Sequence, residues 1–210
     1  WGRYKQRVWP LLGILVLTVV FAIFAGALAL GGGAALTKLF PDHKALITMV
    51  TGLLALIWIL YSICRAQLAF VLAITDPSLG VKTAFARARA GVPAFLWMVT
   101  VMGLLIGGGQ LLLFIPGIIF MVWFSFSPFV FVEEDLRGMD ALLKSRDLVR
   151  GRWFPVAGRL FIVWLGSALI SLIPVVGLIL AILIIPFLFI HAFFLYQELN
   201  AIRGPSPYSP

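Results

Sequence analysis

Residues 133–155 read Glu133-Glu-Asp-Leu-Arg-Gly-Met-Asp-Ala-Leu-Leu-Lys-Ser-Arg-Asp-Leu-Val-Arg-Gly-Arg-Trp-Phe-Pro155, the most charged stretch of a chain that is otherwise lipid-like. Leu136, Met139, Leu142, Leu143 and Val149 recur at three- and four-residue steps, and Arg137, Asp140, Lys144 and Asp147 take the other side. This spacing predicts an amphipathic helix over about 136–151 that lies along a membrane surface, with a basic end and an aromatic anchor at Trp153-Phe154. Long uncharged runs flank it on both sides.

Those runs set the class. Of 210 residues, 62% are hydrophobic and 11% charged, less than half the charged share of a soluble domain. The reading is an all-α integral membrane protein with six transmembrane helices. They form three hairpins, each preceded by a short amphipathic helix on the cytoplasmic surface. Spans are expected at about 10–30, 45–66, 92–114, 117–132, 154–172 and 176–196, with surface helices at about 77–90 and 136–151. Residues 1–203 then make one polytopic domain, and the Pro- and Ser-rich residues 204–210 a disordered tail.

Punctuation places the boundaries. Pro10 opens span one, and Gly31-Gly32-Gly33 loosens its far end. The apolar run of span two extends to Ile74, so the helix is expected to tilt or project from the bilayer. Asp76-Pro77 has the form of a helix start, an acid followed by proline at the first helical position. Ile115-Pro116-Gly117 and Ile173-Pro174-Val175-Val176-Gly177 read as hairpin turns. Pro128 and Pro186 lie inside spans four and six, where loss of a backbone donor predicts a kink. Ser125 and Ser127 stand where they would satisfy the backbone freed by Pro128. The pattern repeats: Ile115-Pro116 with Pro128-Phe129 returns as Ile173-Pro174 with Pro186-Phe187, at an offset of 58 residues.

The net charge of +8 would suggest nucleic acid in a soluble protein. Here basic residues beside spans set topology and meet anionic headgroups, and no nucleic-acid partner is expected. Lys38 and Lys44 fall on one side of the span pattern and all other Lys and Arg on the opposite side. Both termini are therefore expected to be cytoplasmic. Cys64, the single cysteine, sits in an apolar run and reads as a buried thiol.

Close helix contact in lipid favours small residues, so Ala22-x-x-x-Gly26 and Gly103-x-x-x-Gly107 are candidate packing faces. No catalytic, cofactor or metal-ligating set emerges: His43 and His191 are far apart, and neither Gly-rich run has the lysine and hydroxyl of a phosphate loop. Glu133, Glu134 and Asp135 read as a solvated helix boundary. Arg65 and Arg159 lie within spans and either pair with nearby acids or snorkel. In a sharper reading they join Arg87, Arg89, Lys144, Arg146, Arg150 and Arg152 around one pocket for an anionic lipid phosphate.

The run Ala141-Leu-Leu-Lys-Ser145-Arg-Asp-Leu148-Val149-Arg-Gly151-Arg-Trp153-Phe154, preceded by Glu133-Glu134 and Ile115-Pro116-Gly117, resembles a known pattern. It is similar to the membrane domain fused to some glycerophosphodiester phosphodiesterases, and to related stand-alone bacterial membrane proteins. The resemblance implies a multi-pass, six-helix protein of the bacterial plasma membrane. It does not imply phosphodiesterase activity, which in that family belongs to a separate soluble barrel. Phe124 stands where that pattern has an arginine of span four, while Arg65 occupies the matching region of span two. The functional expectation is a non-catalytic membrane module that organises anionic lipid or a membrane protein partner, as an accessory subunit or alone. The alternatives are a transporter or channel for an apolar or lipid-like substrate, and an interfacial enzyme using the acidic cluster.

Overall fold

The computed structural model describes residues 2–171 and 176–203, and among these the regular structure is entirely helical. The helices are α1 (Gly2–Leu39), α2 (Lys44–Thr75), α3 (Val81–Leu112), α4 (Phe114–Phe124), α5 (Ser127–Glu133), α6 (Met139–Val149), α7 (Trp153–Ser171) and α8 (Val176–Arg203). A 3₁₀ turn, Pro41–His43, joins α1 to α2. Sequence neighbours pack as antiparallel pairs: α1 on α2, α2 on α3, α3 on α4, and α7 on α8.

Among the described residues, five segments are long and apolar enough to cross a membrane: Leu11–Leu39, Pro41–Thr75, Val81–Leu112, Phe114–Glu133 and Ile184–Ile202, with Trp153–Leu169 a shorter apolar helix. Lipid offers the backbone no hydrogen bonds, so an apolar chain there must satisfy its own amides, which a helix does completely.

Several boundaries differ from those the sequence suggests. The surface helix expected at 77–90 and the span at 92–114 are one helix, α3, which runs through Pro93. Ala84, Phe85, Ala88, Val92, Phe95 and Met98 form a single buried stripe across the proline. Packing on both sides outweighs the loss of one backbone bond. Likewise α1 is continuous through Pro10 and past Gly31–Gly33. Asp76 does not start a helix. Its amide closes α2 on the Leu72 carbonyl (2.9 Å). Its carboxylate accepts bonds from the Ser78 amide (3.1 Å) and Ser78 Oγ (2.5 Å), which delays α3 until Val81.

The hairpin turn placed at Ile115–Gly117 falls earlier, on extended Leu113, and Pro116 lies in the first turn of α4, where an amide hydrogen has no helical partner. Pro128 does not kink a continuous span either. The span is broken at Ser125–Phe126, and Pro128 sits in the first turn of α5. Pro186, in contrast, lies inside a continuous α8. The second hairpin turn and the tail both lie outside the described residues, the former except for Val176 and Gly177 at the start of α8.

The packing glycines are not those of the expected small-residue faces. A Cβ added at Gly26, Gly103 or Gly107 meets nothing within 4 Å, and Ala22 is only half-buried. The close approaches fall at Gly117, whose Cβ would sit 2.8 Å from the Gln110 backbone nitrogen, and at its partner Gly109, 3.0 Å from the Gly117 nitrogen. Gly13 against Val81 and Gly91 against Leu68 (2.9 Å each) draw α1 to α3 and α3 to α2.

The core sits at one end of the bundle. It takes residues 64–74 of α2, the first half of α3, the α4–α5 break, α6, and residues 190–199 of α8. Aromatic edges and faces tie these together: Phe70 with Phe189 (5.0 Å), Phe95 with Phe131 (5.4 Å), and Phe129 with Phe193 (5.6 Å) and Tyr196 (5.9 Å). At the opposite end α1 and α2 leave Val16, Val20, Ile23, Phe24, Leu53 and Leu54 exposed.

Candidate functional site

The amphipathic stretch that the sequence places on a membrane surface is sunk into the protein. Helix α6 packs against α3, α4, α5 and α8. Its buried face is Ala141, Leu142, Lys144, Ser145, Leu148 and Val149, while Met139 and Leu143 are exposed. The expected apolar face is therefore rotated. The reason lies in the α4–α5 break, which leaves backbone groups with no helical partner. Ser145 Oγ donates to the Trp123 carbonyl (2.7 Å) and accepts from the Phe126 amide (3.2 Å). A buried unpaired amide or carbonyl costs ~1–3 kcal/mol, enough to fix which side of α6 turns inward. Ser125 instead donates to its own helix at the Val122 carbonyl (2.9 Å), and buried Ser127 Oγ has no partner among the described residues.

The neighbours of Ser145 grip the same break. The Arg146 guanidinium lies over the Trp123 ring at 4.9 Å. Lys144, only 4% exposed, pairs its Nζ with Glu134 Oε2 at 3.5 Å. Tyr196 of α8 donates its hydroxyl to Glu134 Oε1 at 3.3 Å. Three consecutive residues point about 100° apart on a helix, so partners for all three require protein around roughly half of α6. Glu134 is thus no solvated boundary acid: its side chain is 17% exposed and joins α5, α6 and α8. A charge pair this buried holds only while both members are present.

Two backbone devices present this cluster. Gly138, at φ +57° and ψ −123°, occupies a region closed to side chains and turns the chain into α6 beside Trp97. Gly151, at φ +87°, turns it out into α7.

The expected basic residues divide among separate partners. Arg65 donates from Nε (3.2 Å) and a terminal nitrogen (3.1 Å) to the Phe85 carbonyl, with its guanidinium 5.6 Å from the Phe85 ring centre. It fastens α2 to α3. Arg87 lies 3.6 Å from Asp76, both solvent-accessible. Arg89, Arg150 and Arg152 are exposed. Arg159 pairs with Glu198 at 2.8 Å. Arg152 and Arg159 line one cavity of about 180 Å³ between α7 and α8. Arg65, Arg87, Arg89, Lys144, Arg146 and Arg150 do not line it.

Bonds from Ser78 hold the Asp76 carboxyl below its ordinary range, with Arg87 a smaller contribution. A depressed folded-state value contributes stability above the ordinary carboxylate range, and that stability is lost as pH falls through the lowered value.

Glu134, Ser145, Tyr196 and Glu198 are the polar residues whose roles the sequence reading missed. Ser145 stands within the Ala-Leu-x-x-Ser pattern, but Ser125 and Ser127 are nearer in sequence to Pro128. Tyr196 lies 62 residues from Glu134, and no local spacing links them. Among the described residues no group of three His, Cys, Asp or Glu side chains is placed to hold a metal.

These features define an all-helical protein with several helices suited to a membrane and its polar contacts gathered at one packed end. No protein-family model, curated protein or solved structure matches the chain.

Proposed function

We propose that the chain is a non-catalytic, six-span membrane module of the bacterial plasma membrane, with both termini cytoplasmic. It recruits anionic phospholipid, or a membrane protein partner, through a basic rim at its packed end. The observation that carries this reading is the division of the basic residues. Lys144 and Arg65 are spent on internal contacts, whereas Lys82, Arg89 and Arg152 remain exposed. Phe154, 82% exposed at the start of α7, lies two residues from Arg152. Exposed cations beside an exposed aromatic suit the headgroup layer, where each surface cation contributes about 1 kcal/mol toward an anionic leaflet.

The test is lipid retention in mild detergent, read by native mass spectrometry with phosphatidylglycerol and phosphatidylcholine in competition. The intact protein retains phosphatidylglycerol preferentially. Lys82→Gln/Arg89→Gln loses that preference while Arg65 and Lys144 stay in place. Equal retention by the two proteins sinks the reading.

A second reading, transport of an apolar or lipid-like substrate, draws on one observation. The segment Phe114–Glu133 is discontinuous at Ser125–Phe126, with the Lys144–Glu134 pair beside the break. Broken helices and buried ionisable groups are shared by many transporters. Substrate movement by the purified protein in sealed liposomes, abolished by Ser145→Ala, distinguishes this reading from the first.

A further inference from the structure

We propose that the cavity between α7 and α8 binds a phospholipid headgroup carrying both a phosphate and a primary ammonium, as in phosphatidylethanolamine. The proposal rests on the membrane-surface placement argued above. The cavity, about 180 Å³, has two cationic side chains, Arg152 and Arg159, and one anionic, Glu198, over an apolar wall that includes Val156, Leu199 and Ile202. Arg159 and Glu198 pair at 2.8 Å with each side chain about half exposed, so both heads are open to further partners. Arg152 makes no ion pair among the described residues.

The arrangement selects by charge and by donor chemistry. A purely anionic headgroup is held by the two guanidiniums but offers the Glu198 carboxylate no donor. A purely cationic ligand meets two guanidiniums. A headgroup with both charges places its phosphate on Arg152 and Arg159, where guanidinium forks match phosphate oxygens. Its ammonium then donates to Glu198. Choline carries the same charge but has no N–H to donate, so its headgroup adds no hydrogen bond to the one Glu198 already accepts from Arg159. The apolar wall takes the glycerol and the first carbons of the acyl chains.

Competition between phosphatidylethanolamine and phosphatidylcholine on the detergent-solubilised full chain tests the assignment. The intact protein retains the ethanolamine lipid several-fold over the choline lipid. Glu198→Gln brings the ratio to about one, and Arg152→Gln lowers retention of both lipids. Melting temperature reports whether each variant is folded. Arg159→Gln, which also removes the ion pair, is the second variant and lowers retention as well. An ethanolamine preference that survives Glu198→Gln overturns the proposal, as does undiminished lipid retention in Arg152→Gln or no preference in the intact protein. Soluble phosphoethanolamine is the control for source. Failure to displace the lipid supports a membrane ligand, and binding of the soluble compound in place of the lipid overturns the lipid assignment. The rim variant Lys82→Gln/Arg89→Gln keeps the ethanolamine preference, and Glu198→Gln keeps phosphatidylglycerol retention on the rim. Each reading therefore fails on its own signature.

Discussion

The two halves of α2 are alike in hydropathy and opposite in surroundings. From Leu46 to Ile63 the helix carries exposed Leu, Ile, Met, Val and Trp, whereas from Cys64 to Ile74 most residues are buried in the core. α1 repeats the contrast, with Leu11 and Ile14 buried and Val16 to Leu39 largely exposed. The polar groups differ in the same way. At the exposed end Thr18, Thr37, Thr48 and Thr51 bond to carbonyls three or four residues back in their own helices. At the packed end Arg65, Ser145 and Tyr196 reach partners 20, 19 and 62 residues away. A hydroxyl satisfied by its own helix needs no neighbour. A cation, or a hydroxyl turned to a broken helix, brings one. Apolar content alone therefore does not pull helices together in lipid, because tails and leucines are equivalent. The inter-helix polar contacts and close glycine crossings mark where packing occurs.

Substitutions at the two ends separate these roles, read by unfolding in detergent. Lys144→Met has the largest expected effect, a loss of ~3–5 kcal/mol, because Glu134 is left charged and unpaired in the interior. Lys144→Met/Glu134→Gln recovers part of it. A stable single variant removes this pair as the anchor of α6. Next comes a matched pair of leucines. Leu142→Ala, at a fully buried position, costs ~2–5 kcal/mol. Leu54→Ala, at a position 60% exposed, stays within ~0.5 kcal/mol. Equal losses erase the contrast between the ends. The smallest effect tests the glycine crossings. Gly117→Ala costs ~1–3 kcal/mol through overpacking against Gln110, whereas Gly103→Ala, with open space around it, costs nothing measurable. The reverse order restores Gly103-x-x-x-Gly107 as the contact face.

Much of the architecture was legible before the structure. The long apolar runs, the pairing of neighbours through short connections, and the exceptional character of residues 136–151 follow from hydropathy and punctuation. The candidate site was legible only in part. The basic residues were visible, but their division was not, because whether Lys144 meets lipid phosphate or Glu134 depends on which face of α6 turns inward. Helical periodicity placed one apolar face through Leu136, Met139, Leu142, Leu143 and Val149. A second face, the one that is buried, keeps Leu142 and Val149 but takes Ala141 and Leu148 in place of Met139 and Leu143. The unpaired backbone at Ser125–Phe126 chose the second through Ser145.

By itself the sequence determined that this chain forms apolar helices, because a backbone without water must satisfy its own amides, and that its charges gather in a few short stretches. Only the tertiary structure decided which prolines interrupt a helix, which glycines lie at a crossing, and which cations turn inward to a partner in the core. Those outcomes depend on contacts between residues far apart in the chain. Local spacing does not encode them, since the same hydropathy is satisfied equally by lipid and by another helix.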